Sequence, residues 1–250
     1  GANDTKTYAN VPPGDYQVRL TAAGLMALGI QPGDRVTLLS EGRNDWVFSE
    51  LGVLFTGAIN VPLSIKLKEP SELEFRISHS GSRFVIVSGG QVEKVLEIEK
   101  NLAQVEQIIV LDDTDNRDPD IITMEGLRRK GADYLRQHND EVEARWQSVK
   151  ERDPANICYT SGTTADPKGI VLTHRNYTAN VDQGRAFYNV PAEYRSLLIL
   201  PWDHSFAHTV GLYAALVRGI SLYFVDARGG PMAMLRHIPE NLQEANPKFL

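Results

Sequence analysis

Residues 157–172 read Ile-Cys-Tyr-Thr-Ser-Gly-Thr-Thr-Ala-Asp-Pro-Lys-Gly-Ile-Val-Leu. The two apolar ends read as strands, and the polar middle from Tyr159 to Gly169 as the loop joining them. The loop gathers hydroxyls, glycines and one lysine, an inventory suited to a polyphosphate. Glycine lets backbone approach closely, hydroxyls donate to phosphate oxygens, and Lys168 offers a mobile positive charge. The competing pattern is the G-x-x-x-x-G-K-[ST] loop of P-loop nucleotide-binding proteins. Gly162 and Lys168 have its separation, but Pro167 stands where the second glycine belongs and Gly169 where the metal-binding hydroxyl belongs. That pattern also runs straight into a helix, whereas Ile170-Val171-Leu172 reads as a strand.

Outward from this element, strands and helices alternate. A helix over 20–28 ends at Gly29 and Pro32-Gly33, and a strand follows over 35–39. Asp45 is placed to cap a helix running to Leu54, with further strands expected at 58–63, 84–88 and 107–111. Helices are expected at 70–78 and 92–102, and the Asp-rich stretch 112–120 reads as a surface loop. A charged segment over 141–153 is expected to bridge two modules. After it come strands at 156–160, 170–172, 197–200 and 222–225, with helices at 176–187, 209–217 and 232–245. This rhythm predicts an α/β protein of layered βα modules with mostly parallel sheets. Its expected division is a first module over 1–150 and a second over 151–250 that carries the loop. Lys248-Phe249-Leu250 reads as the start of another strand, so the second module is expected to be truncated.

Composition narrows the function classes. Hydrophobic residues make up 42% and charged residues 23%, which is ordinary globular usage. A formal net charge of -6 with no basic cluster excludes a nucleic-acid partner, while local convergence of a few donors still permits a nucleotide ligand. Cys158 is the single cysteine, so no intrachain disulfide exists and a cytoplasmic setting is expected. The apolar run 51–63 is short and interrupted by glycine, asparagine and proline, so no transmembrane segment is expected. Peripheral membrane contact and oligomeric state are left open by the sequence.

The loop resembles the signature of the adenylate-forming superfamily of acyl-CoA synthetases, luciferases and peptide-synthetase adenylation domains, approximately Y-T-S-G-[ST]-T-G-x-P-K-G. Every position from Tyr159 to Gly169 carries the usual residue except Ala165, where the family has glycine. A loop needing positive φ at Ala165 would be strained by about 1 kcal/mol or more. The run Val171 to Asn176 resembles the family's continuation. Gly29 to Val36 and Gly57 to Leu63 resemble its opening sheet module, and Leu200-Pro201-Trp202-Asp203-His204-Ser205-Phe206 resembles the L-P-x-x-H-x-F segment of acyl-CoA ligases. The resemblance spans nearly the whole chain and implies the incomplete N-terminal domain of an adenylate-forming enzyme. The family's Y-G-x-T-E segment, ribose-binding Asp, hinge and C-terminal lid domain with its catalytic Lys do not occur.

What the resemblance implies is ATP-dependent activation of a carboxylic acid, most simply a fatty acid, to an acyl adenylate, then transfer to coenzyme A. ATP with Mg2+, a fatty acid and coenzyme A are the expected small-molecule partners. Thr160, Ser161, Gly162, Thr163, Thr164, Lys168 and Gly169 would form the β- and γ-phosphate cradle, with Lys168 and His204 acting in catalysis. His204 would lie beside the carboxylate, and Phe206 and Trp202 would line the acyl entrance. The bland alternatives are a helix-capping role for His204 and a packing role for Trp202. His204 and His208, with Asp203 beside them, invite a zinc reading, which fails for want of a clear further ligand with suitable spacing, so no metal-binding residue is assigned. Cys158 reads as a buried structural thiol, and Asp226 as a turn or cap residue. The 250-residue chain alone is expected to make no acyl-CoA. The alternatives are a nucleotide- or acyl-binding fragment without turnover, and a peptide-synthetase-like or aryl-activating adenylation module.

Overall fold

The computed structural model describes residues 13–114, 118–160, 167–226 and 231–248. Helix α1 (Pro13–Ala27) leads to β1 (Arg35–Leu39), α2 (Asn44–Phe55), β2 (Ile59–Pro62), α3 (Pro70–Ser80), β3 (Ser82–Val87), α4 (Val92–Ile98) and β4 (Gln107–Val110). Next come β5 (Ile121–Thr123), α5 (Met124–Gln147), β6 (Pro154–Thr160), β7 (Lys168–Thr173), α6 (His174–Phe187) and β8 (Arg195–Leu198). A π-helical segment (Ala207–Tyr213), α7 (Ala214–Arg218), β9 (Ser221–Phe224) and α8 (Pro231–Ala245) complete the order. The expected α/β class with mostly parallel pairing is what the structure has. Seven strands form one sheet in the order β5-β4-β3-β1-β2-β6-β7, parallel throughout except for the β6–β7 hairpin. Strands β8 and β9 pair parallel in a separate small sheet.

The faces follow from strand alternation. Val36, Leu38, Phe84, Ile86 and Ile109 point to one face, where they pack with Leu25 of α1, Trp46 and Val53 of α2, and Met124 and Leu127 of α5. Leu39, Val85, Val87, Ile108 and Val110 point to the other, against Leu73 and Ile77 of α3 and Val95 and Ile98 of α4. Connectivity explains the split. The step from β1 to β2 runs one way along the sheet, and those from β2 to β3 and β3 to β4 run the other. Right-handed crossovers therefore deliver α2 to one face and α3 and α4 to the opposite one. Both faces being covered, the strands read as continuous apolar runs.

Three local expectations are corrected. Asp45 does not cap α2: the N-cap position is Arg43, and Asp45 sits in the first turn, where it accepts from Arg43 (3.1 Å) and Arg128 (2.8 Å). An ion-pair network spanning α2 and α5 wins over the local cap. The charged segment before residue 150 is not a linker but helix, the part of α5 that follows a bend at His138 (φ -132°, ψ 31°); α5 is capped at its start by Thr123, whose hydroxyl accepts from the Gly126 N–H. The first strand of the small sheet also begins earlier than expected, at Arg195. Strand pairing crosses residue 150, since Asn60 of β2 is in register with Asn156 of β6. The two-module division thus describes chain order rather than two separate sheets, and as a domain boundary it stays a proposal.

Helices α1 and α5 cross at glycine. A Cβ on Gly131 would lie 2.0 Å from the Leu20 carbonyl oxygen, and one on Gly24 would lie 2.4 Å from that of Leu127. The backbones approach this closely only because both side chains are hydrogen.

Candidate functional site

The hairpin predicted from residues 157–172 is present. Thr160 is in register with Lys168 and Tyr159 with Gly169, and the strand β7 runs six residues before α6 begins at His174. The chain leaves the loop at Lys168 as a strand and not as a helix, which removes the P-loop reading on geometry as well as on sequence. Helix α6 is instead opened by a capping box, Thr173 accepting from the Asn176 N–H and Asn176 Oδ1 accepting from the Thr173 N–H. Strand β6 runs parallel to β2 and β1, so Thr160 lies at the carboxyl edge of the sheet, where open α/β sheets place ligands. Lys168 is exposed at the mouth of the hairpin. Ser161, Gly162, Thr163, Thr164 and Ala165 lie outside the described residues, and with them the question of φ at Ala165.

Tyr159 fastens this hairpin to α3. Its hydroxyl donates to the Arg76 carbonyl (3.2 Å) and lies 2.9 Å from His79 Nδ1, while the Arg76 guanidinium sits 5.9 Å from the ring centroid. Burial leads in raising the Tyr159 phenol above its ordinary pKa. Gly169 is needed beneath it: a Cβ there would come within 2.9 Å of Ile157 Cγ2 and 3.4 Å of the Tyr159 ring. The reading of the loop as a phosphate cradle did not reveal this packing role, because the partners come from 80 residues away.

The His204 turn lies at the start of the π-helical segment. His204 is exposed, and its Nδ1 accepts from the Phe206 N–H at 3.1 Å, so the ring caps the helix start with one nitrogen and keeps Nε2 as its donor. The capping alternative and a substrate-facing role are therefore compatible. Phe206 is 54% exposed. Trp202 is 8% exposed and packs against Trp46 (centroids 4.5 Å apart) and Phe224 (5.3 Å). A Cβ on Gly42 would lie 2.0 Å from Trp202 Nε1, so glycine is required opposite the indole. One edge of Trp202 borders a cavity of about 220 Å³ shared with Ser40, Leu63, Ile65, Leu200 and Leu235.

A second crevice, of about 1040 Å³, went unseen in the sequence. It opens between the loops after β1 and β3, where the chain direction along the sheet reverses, and meets the Trp202 cavity at Glu41 and Gly42. Its polar groups pair with one another: Glu41 accepts from Ser88 (2.6 Å) and Gln91 (2.5 Å), and Asp112 from Arg43 (2.7 Å) and the Gly89 N–H (2.7 Å). Burial opposes ionisation of Asp112, but the Gly89 N–H and Arg43 outweigh it and hold the carboxyl below its ordinary pKa.

His208 is fully buried and both ring nitrogens are engaged, Nε2 with the Trp202 carbonyl (2.8 Å) and Nδ1 with Asn156 Nδ2 (3.1 Å). Among the described residues no group of three His, Cys, Asp or Glu side chains could hold a metal ion. Asp226 borders the larger crevice and its backbone is held by α8, the N–H by Asn241 Oδ1 (2.9 Å) and the carbonyl by His237 Nδ1 (2.9 Å). Cys158 is buried, its Sγ 4.0 Å from the Tyr177 hydroxyl, and burial pushes the thiol up to about 12 from an ordinary value of 9.0. Thiol alkylation of the native chain is accordingly expected to lag far behind that of the denatured chain. The gap is widest between pH 9 and 12, where only the denatured thiol is ionised; equal rates there would show that Cys158 is accessible and ionised in the fold.

A family model described as AMP-binding enzyme matches residues 2–250. A long-chain-fatty-acid–CoA ligase, FadD15 of Mycobacterium bovis, is 28% identical over 203 residues, which cover 79% of this chain and 32% of that protein. The N-terminal domain of FACL13 from Mycobacterium tuberculosis, solved with an inhibitor, superposes with a TM-score of 0.66 at 27% identity, over 92% of this chain and 52% of that one. The anthranilate CoA ligase AuaEII, solved with anthranoyl-AMP, shares the fold with a TM-score of 0.77 at 22% identity, over 94% of this chain and 43% of that one. The chain thus spans about a third of the length of the curated ligase it matches.

Proposed function

Because the chain belongs to the AMP-binding enzyme family, we propose that it forms the front part of an ATP-dependent acid–thiol ligase acting on fatty acids. In the first step a carboxylate oxygen attacks the α-phosphate of ATP, the bond from the α-phosphorus to the bridging oxygen breaks, and pyrophosphate leaves. In the second, the thiol of coenzyme A attacks the acyl carbonyl and AMP leaves. Neither step requires a covalent bond to the protein, so positioning and charge neutralisation carry the catalysis. Thr160, Ser161, Gly162, Thr163, Thr164, Lys168 and Gly169 cradle the leaving pyrophosphate. His204 donates from Nε2 to the acid or the mixed anhydride, and Phe206 and Trp202 line the acyl entrance. Magnesium arriving with ATP supplies further phosphate neutralisation; no residue of this chain is assigned to it.

The observation that carries this reading is the hairpin itself: a hydroxyl-rich turn at the carboxyl edge of a parallel sheet, closed by Thr160 opposite an exposed Lys168. Support for a fatty acid comes from the relatives' activity and from the apolar lining beside Trp202. One observation favours a second reading. The Trp202 cavity, at about 220 Å³, is smaller than the roughly 300 Å³ at which drug-sized sites begin, and so suits a small aromatic acid. Within the described residues no helix is long and apolar enough to cross a membrane.

The test is ATP/pyrophosphate exchange by the complete protein against medium- and long-chain fatty acids, benzoate, anthranilate and amino acids. Exchange led by fatty acids is expected. A preference for aromatic acids would install the second reading, and exchange with amino acids alone, or with none of the panel, would overturn both. The 250-residue chain assayed by itself is expected to release no acyl-CoA.

A further inference from the structure

Four elements distant in sequence meet in one buried polar cluster behind the His204 turn. Glu50 of α2, Asn156 of β6 and His208 of the π-helical segment are each fully buried, and Tyr177 of α6 is nearly so. Asn156 Nδ2 lies 3.2 Å from Glu50 Oε1, 3.0 Å from the Tyr177 hydroxyl and 3.1 Å from His208 Nδ1. The Tyr213 hydroxyl donates to Glu50 Oε1, which also lies 3.4 Å from His208 Nδ1. On its far side the His208 ring donates from Nε2 to the carbonyl of Trp202, two residues before His204. A carbonyl can only accept, so in the neutral ring Nδ1 accepts from Asn156.

A physical line therefore runs from β6, four residues before Thr160, through Asn156 and His208 to the backbone of the His204 turn. Stability alone does not account for the cluster. Glu50 Oε2 and Asn156 Oδ1 make no hydrogen bond to a described protein atom, and an apolar set of the same volume would avoid that penalty. A π-helical turn, uncommon in helices generally and concentrated at functional sites, places His208 in the cluster.

We propose that Asn156 and His208 are positioning residues that hold the His204 turn at a set separation from the hairpin bearing Thr160 and Lys168. This rests on the function proposed above, in which the two sides act on the acid and on the phosphates of one ATP. Neither residue touches substrate. Each acts through the Trp202 carbonyl, and a displacement of about 1 Å at this joint is enough to cost on the order of 100-fold in rate.

The experiment uses the complete protein with His208→Gln and His208→Asn. Glutamine can place an N–H where Nε2 stands and keep the bond to Trp202; asparagine reaches only the Nδ1 position. With rates normalised to folded protein, His208→Asn is expected to lose about 100-fold in the kcat of adenylation, with KM for ATP within about twofold. His208→Gln is expected to recover part of that loss, because it keeps the bond to Trp202 but not the one from Asn156. Equal kcat for the two variants, or a loss confined to KM, would overturn the proposal. A second arm does not depend on turnover: Asn156→Leu is expected to speed hydrogen exchange of the backbone amides over 203–207, on an element remote in sequence. If the unmodified protein shows no exchange with any acid, the functional reading falls, and this arm still decides the coupling. Unchanged protection over 203–207 would overturn it.

Discussion

Carboxylate-dependent ATP/pyrophosphate exchange is expected to fall about 10²- to 10³-fold when Lys168 is replaced by alanine in the complete protein, the usual cost of removing one donor aimed at charge that develops in the transition state. The backbone of Lys168 is held in β7 opposite Thr160 while its side chain is exposed, so the substitution removes a charge without opening the core. Folding, read by circular dichroism and thermal melting, should therefore stay unchanged. Lys168→Arg is expected to fall between, because a guanidinium keeps the charge but presents a planar fork in place of a compact ammonium. Exchange that survives Lys168→Ala at full rate would remove this residue from the mechanism and leave the cradle to hydroxyls and backbone alone.

The largest expected effect on stability lies far from the site, at the crossing of α1 and α5. Gly131→Val forces a branched side chain into a gap where the first added carbon would already be 2.0 Å from the Leu20 carbonyl oxygen. That atom is backbone within a helix and cannot rotate away, so the helices must separate. The expected cost is about 3 kcal/mol, which lowers Tm by roughly 6 to 12 °C for a chain of this size. Gly184→Ala is the matched control: it also lies in a helix, α6, but a Cβ there meets nothing within 4 Å. It should instead stabilise by about 1 kcal/mol through helix propensity. Thermal melting of the two variants side by side checks both signs, and a neutral Gly131→Val would mean that the helix pair is not packed as closely as described.

Where the sequence pattern is local, it was enough. The hairpin at Thr160 and Lys168 was legible because a polar, glycine-bearing run stands between two apolar ones. Most strands of the sheet were legible because parallel strands buried on both faces are unbroken apolar stretches. Helix α5 was not, although with its bend at His138 it covers 24 residues. Only Met124, Leu127, Gly131 and Val142 of its residues are buried, and so narrow a stripe within a charged stretch reads as a linker. The cap expected of Asp45 failed for a related reason: a rule about neighbours in sequence gave way to Arg128, 83 residues away.

By itself, then, the sequence determined the alternation of elements, the identity of the phosphate-loop candidates, and the placing of that loop between two strands, all of which depend on residue types a few positions apart. Tertiary structure alone decided that β6 joins the sheet beside β2, that Tyr159 ties the hairpin to α3, and that His208 lies between Asn156 and the Trp202 carbonyl. Apart from the bond to Trp202, these are pairings, through backbone as well as side chains, between groups 50 or more residues apart. A buried polar group takes whichever partner the packed fold brings within hydrogen-bonding reach, and no periodicity along the chain records that choice.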